Sequence, residues 1–143
     1  MANRLETKEL YAFLEMGART AKIACVKKDG SPIVSPVWFV LDNRELVFTT
    51  MNTSLKYRLI QREPRVSVCV ESDSYPYGFA TIQGTATLHK LQPADLLKWT
   101  TQIASRYVPG ELVEQFGRRN AVEDEVLVRV KVEKFFAFEG IAD

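Results

Sequence analysis

Within one short stretch of this chain, four hydroxyls and an ammonium gather: Thr49, Thr50, Thr53, Ser54 and Lys56. They straddle the end of an apolar run, Leu46-Val47-Phe48-Thr49-Thr50, and the start of a basic amphipathic one, Leu55-Lys56-Tyr57-Arg58. A strand that turns into a helix leaves the first amides of that helix without partners, and such a corner attracts an anion. Ser54 and Lys56 can converge on one anion there, whereas Arg58 and Arg62 are i,i+4 neighbours along another face. A plainer reading stands beside this one: Thr53 or Ser54 caps the helix and the basic side chains stay in water.

A second segment, Ile33-Val34-Ser35-Pro36-Val37-Trp38-Phe39-Val40, combines strand propensity with a proline. Pro36 cannot donate to a sheet ladder, so it marks an edge or a bulge. A bulge would free backbone N–H and C=O groups beside Trp38 to read the rim of a flat heterocycle. Otherwise Trp38 and Phe39 are core residues alternating across an edge strand.

Other chemistries lack parts. The single histidine, His89, ends a strand next to Lys90 and reads as a surface residue. There is no H-E-x-x-H, Cys/His cluster, G-x-S-x-G, G-x-G-x-x-G or Walker A sequence, so no metal site is expected and no catalytic residue can be named. Cys25 and Cys69 sit in separate apolar runs and read as reduced core cysteines. An enzyme with this inventory borrows its reactive group from a cofactor.

The 143 residues are enough for one domain, 1–143, with its own core. With 46% hydrophobic and 26% charged residues the chain has a globular balance, and a net charge of +1 gives no electrostatic case for nucleic acid or an anionic membrane. No apolar run approaches the roughly 20 residues that span a bilayer, and the start Met1-Ala2-Asn3-Arg4 does not read as a signal peptide. The expectation is a soluble, cytoplasmic protein.

Periodicity supplies the frame. A helix is expected from Leu5 to Met16, capped by Gly17. Strands follow at Thr20–Val26 and Ile33–Leu41, joined through Asp29-Gly30, then Leu46–Thr50 after a turn at Asp42-Asn43-Arg44-Glu45. A helix from Thr53 to Arg62 stops before Glu63-Pro64. Val66–Val70 and Phe79–Leu88 alternate as half-buried strands. Pro93 opens a helix ended by Pro109-Gly110, a short helix covers Glu111–Phe116, and a last strand alternates from Val126 to Val132 into Phe135–Phe138. Strands joined by hairpins exclude βαβ units, and about six of them make a mainly β fold, a small antiparallel barrel with helices outside.

From about Thr20 to Leu88 the chain resembles the pyridoxamine 5'-phosphate oxidase-like split-barrel flavoproteins, in the branch of oxidoreductases that use FMN or the deazaflavin F420. The resemblance is carried in order by the Asp-Gly turn, Ser35-Pro36-Val37-Trp38-Phe39, Phe48-Thr49-Thr50 and Ser54-x-Lys56. It continues through the pattern K-x-R-x-x-x-R-x-P-R from Lys56 to Arg65, then Gln83-Gly84-Thr85-Ala86. It implies a six-stranded split barrel of the FMN-binding type, a homodimer with two cofactor sites at its interface. Pro36, Val37 and Trp38 would line the ring, Thr49 and Thr50 its edge and ribityl chain, and Ser54 and Lys56 the phosphate. Gln83 and Gly84 would pass near the ring, and Arg106 and Tyr107 would approach from the partner subunit. Leu55 stands where the vitamin B6 oxidases carry a second phosphate-binding arginine, which points away from that activity. Leu59 replaces an asparagine common among F420 users, so FMN and F420 both stand. The function implied is hydride transfer between the bound ring and a flat, unsaturated small molecule. The alternative is a non-catalytic carrier of flavin or haem.

Overall fold

The protein is described by a computed structural model covering residues 2–143. Its frame is one eight-stranded antiparallel sheet: β1 (Asn3–Arg4), β2 (Ala21–Val26), β3 (Pro32–Val37), β4 (Val40–Asp42), β5 (Glu45–Met51), β6 (Arg65–Glu71), β7 (Gly78–His89) and β8 (Glu125–Glu139). Along the sheet the order is β3-β2-β6-β7-β8-β5-β4, with β1 paired to the far end of β8. Helices α1 (Thr7–Glu15), α2 (Leu55–Arg62), α3 (Pro93–Tyr107) and α4 (Val113–Asn120) complete the chain, with a 3-10 turn at Gly110–Leu112 before α4.

The two ends of this path, β3 and β4, are consecutive in sequence. The segment expected as one strand, Ile33–Leu41, breaks at Trp38 and Phe39 and sends its halves to opposite edges of the sheet. The sheet is therefore curled into a barrel that stays split at that break. This division, with the short β1, is why eight strands form where six were expected. Pro36 is on an edge strand in regular register with Lys22, so the missing N–H costs no ladder bond. The register shift lies instead between Gln83 and Gly84, opposite β8.

Turn chemistry places the strands where the sequence indicates. Gly30, at φ 89°, closes the β2–β3 hairpin beside Asp29, whose carboxylate accepts from the Ser31 amide at 3.0 Å. Asn43 and Arg44, at φ 54° and 62°, form the two-residue β4–β5 turn of the type that matches strand twist. Helix α2 starts later than expected, because Ser54 is its N-cap and accepts from the Tyr57 amide at 3.0 Å.

Two apolar layers result. Inside the barrel, Ile23, Phe48, Val68, Ile82 and Val130 meet Leu10, Phe13 and Leu14 of α1 and Ile60 of α2. Outside it, Val40, Val47 and Leu127 pack under Ile103 of α3, with Trp38, Trp99 and Tyr107 around them. That outer layer makes β5 and β8 buried on both faces, so Leu127 is buried although alternation alone assigns it to the wet side.

Candidate functional site

The outer layer opens at one end into a cavity of about 240 Å³ between β3, β5, β8 and helices α2 to α4. Pro36, Val37, Trp38, Thr49 and Lys56 line it. These are five of the seven cofactor-binding residues expected from sequence. Thr50 and Ser54 stand behind it: Thr50 is buried, its hydroxyl 2.9 Å from that of Ser54, and Ser54 holds the start of α2. The Leu55 and Lys56 amides are the first of the helix and have no carbonyl one turn back to bond.

Lys56 is half-buried and forms no ion pair among the described residues. Burial pulls its pKa below the ordinary lysine value, with the Cys25 thiol opposing weakly. The same burial pushes the Cys25 thiol up. A desolvated, unpaired ammonium beside free amides gains most from an arriving anion. The other basic residues of the pattern do not share this position. Arg62 donates to the Val26 carbonyl at 2.6 Å, Arg65 pairs with Glu63 at 2.6 Å, and Arg58 is exposed.

Sequence reasoning missed a carboxyl. Glu125, at the first position of β8, lines the same cavity and is only 9% exposed. The register pairs Thr49 with Leu127 and Met51 with Glu125, so Thr49 and Glu125 are diagonal neighbours on one face. The Thr49 hydroxyl donates to Glu125 Oε2 at 3.0 Å, and Glu125 Oε1 is buried with no partner. Desolvation raises this carboxyl above its ordinary pKa, with the Thr49 bond working against it. Its place in the run Glu123-Asp124-Glu125 reads as solvated turn; the available signal was its parity with Leu127, an apolar residue on the face that α3 covers. Thr100, Ile103 and Asn120 complete the wall. Thr100 donates to the Gly117 carbonyl at 2.7 Å and so holds α4 against α3.

Trp38 is fixed where it lines the cavity. Its ring stacks on Tyr107 at 5.2 Å with a 7° interplanar angle, and Phe116 packs against it at a tilt. Arg106 and Tyr107, expected to approach from a partner subunit, make several hydrogen bonds within their own chain. Arg106 donates to the carbonyls of Leu14, Gly17 and Phe39 at 2.7, 2.9 and 2.8 Å. The Tyr107 hydroxyl accepts from the Phe39 amide at 3.1 Å and donates to Arg19 O at 2.7 Å. Both brace the break in the barrel.

Gln83 and Gly84 lie apart from this cavity, in a larger cleft of about 620 Å³ that includes Cys25, Pro32, Arg65 and Glu133. His89 belongs to neither; its Nε2 is 2.8 Å from the Thr87 hydroxyl. Cys25 and Cys69 are both free. Among the described residues no group of three His, Cys, Asp or Glu side chains could hold a metal, and no helix is long and apolar enough to cross a membrane.

The fold and its relatives agree. An F420 reductase superposes with a TM-score of 0.71 at 25% identity, over 87% of this chain and 94% of that one. An FAD-binding protein from Mesorhizobium loti gives 0.69 at 21%, over 96% and 97%. HutZ, the heme storage protein from Vibrio cholerae, gives 0.70 at 18%, over 94% and 96%. A family model described as pyridoxamine 5'-phosphate oxidase matches residues 6–138. With nearly its whole length matched and a split-barrel sheet beneath it, the chain belongs to the pyridoxamine 5'-phosphate oxidase family.

Proposed function

We propose that this protein is an FMN- or F420-binding oxidoreductase that works as a homodimer on a flat, unsaturated small molecule. The observation that carries the reading is the convergence of Lys56, Thr49 and the Pro36–Trp38 segment, from three separate elements, on one cavity. Bound there, the flavin or deazaflavin supplies hydride transfer. Lys56 and the first amides of α2 hold the phosphate, while Ser54, fixed by Thr50, keeps the helix start in place. Pro36, Val37 and Trp38 flank the ring, and the stack of Trp38 on Tyr107 keeps that wall rigid. The Tyr107 hydroxyl is engaged by backbone and serves as a brace.

The size of the cavity supports the homodimer reading. A cavity of about 240 Å³ falls below the roughly 300–1,000 Å³ of pockets that enclose a small-molecule ligand, so one chain supplies part of the site. Edge strand β3, whose Pro36 and Val37 line the cavity, exposes Pro32, Ile33 and Val34 farther along the same strand, an apolar rim suited to a second copy. The free cysteines fit a reducing compartment such as the cytoplasm.

A carrier of haem is the reading that the likeness to a heme storage protein raises. This cavity offers iron neither imidazole nor thiolate, since neither His89 nor a cysteine lines it. The test is to purify the protein, identify any released small molecule by mass spectrometry, and record visible spectra with added FMN, F420 or haem. Flavin or deazaflavin bands shifted by binding are expected. A Soret band lost in His89→Ala, with no flavin bound, would replace this reading with the haem carrier.

A further inference from the structure

Within the cavity one polar group has its needs unmet. Glu125 is nine-tenths buried, Thr49 satisfies one of its oxygens, and the other has no hydrogen-bond partner and no access to water. A buried, half-satisfied carboxyl is costly, and native structures keep few of them without a use. The carboxyl lines the cavity, and its terminal torsion has broad, shallow wells, so a small turn presents either oxygen to a guest. The group it lacks is a donor. Donors do line the cavity, in the Lys56 ammonium, the Asn120 amide and the Trp38 indole, but among the described residues only Thr49 bonds the carboxyl; Pro36 has no N–H, Ile103 and Val37 are apolar, and the Thr100 hydroxyl is spent on Gly117. Thr49, whose hydroxyl is already donated to Glu125, is left only as an acceptor.

We propose that Glu125 reads the polyol segment of the cofactor, accepting a hydrogen bond from one of its hydroxyls and so favouring hydroxyl-bearing flavins or deazaflavins over the bare ring. This rests on the flavin reading above. It moves the selective contact from the threonines of β5 to the first residue of β8. The position is consistent with the cavity's lining, which holds Glu125 together with Lys56 and the Pro36–Trp38 segment. The carboxyl's raised pKa accords with it, because a donated hydroxyl relieves the desolvation that raises it.

Riboflavin and lumiflavin differ by that polyol and carry no phosphate, so Lys56 drops out of the comparison. The experiment measures their dissociation constants, and those of the matching 5-deaza pair, for the wild type and for Glu125→Met, with FMN and F420 as controls. A hydrogen bond to a charged acceptor is worth roughly a ten- to hundredfold preference for the polyol form in the wild type. That preference collapses to about twofold or less in Glu125→Met. A wild type that binds both forms alike, or a folded variant that keeps the full preference, overturns the proposal. If Glu125→Met does not fold, the wild-type pH profile decides. The preference must weaken as acid protonates Glu125, since Lys56, the only other ionisable group lining the cavity among the described residues, stays charged there. A flat profile overturns it too. Failure of FMN and F420 to bind at all would instead overturn the flavin reading.

Discussion

Thr49 and Glu125 meet across β5 and β8 as a diagonal pair, 3.0 Å from hydroxyl to carboxylate, and among the described residues this one bond is all the hydrogen bonding the carboxyl receives. The pair is buried because α3 lies over a sheet face that would otherwise be wet. It ties the candidate site to the stability of the fold.

That link has a sign. The folded pKa of Glu125 is raised above the ordinary 4.5, so over the window from that value upward the folded protein keeps a proton the unfolded chain has lost. Stability contributed by this group is full below the unfolded pKa and falls as pH rises through the folded one. Glu125→Gln removes the effect. Its melting temperature, relative to wild type, should rise between pH 4 and pH 7. Calorimetry at the two pH values checks this; an unchanged difference would mean that the carboxyl ionises without cost.

Arg106 holds the break in the barrel by donating to Leu14, Gly17 and Phe39, and its guanidinium lies 4.5 Å from the Phe39 ring centroid. A lysine cannot span three carbonyls with a planar fork. Arg106→Lys should cost about 2–4 kcal/mol in denaturant unfolding. A loss below about 0.5 kcal/mol would show that the break is held by other contacts.

Gly84 sits at the register shift of β7, where an added Cβ would collide with the backbone carbonyl oxygen of Lys131. Gly84→Ala must push β8 away from β7 and should destabilise by about 2 kcal/mol or more. Gly30→Ala, in open space but at φ 89°, should cost about 1 kcal/mol. Chemical denaturation of both variants gives the ranking, and the reverse order would contradict the close approach at Gly84.

The exposed rim of β3 supplies a prediction about assembly. Val34 is 62% exposed there, more open than Ile33 at 36%. Val34→Glu should shift a dimer toward monomer in sedimentation equilibrium and weaken cofactor binding in parallel. A monomeric wild type that binds cofactor fully would contradict the shared site.

Much of this was legible in the residues. Asp29-Gly30 and Asn43-Arg44 act through local backbone chemistry, so the turns could be read directly, and Ser54 stood as one of two cap candidates for α2. Alternation marked β6 and β7 because each has one wet face. Reading failed where tertiary packing overrides the local pattern. No local signal says that Ile33–Leu41 splits at Trp38 and Phe39, because the break is enforced by Arg106 and Tyr107, both distant in sequence. Glu125 was missed for the same reason: only the arrival of α3 turns a residue of an acidic turn into a buried one.

The most direct measurement of the cofactor site is the dissociation constant of FMN and of F420 for wild type and Lys56→Ala, followed by absorbance or fluorescence. Losing one charge-assisted hydrogen bond of roughly 1.5–3 kcal/mol should weaken binding about ten- to hundredfold. The melting temperature should hold, because among the described residues Lys56 pairs with no carboxylate that its removal would strand. Binding unchanged in Lys56→Ala, or a wild type that takes up neither cofactor, would contradict the site.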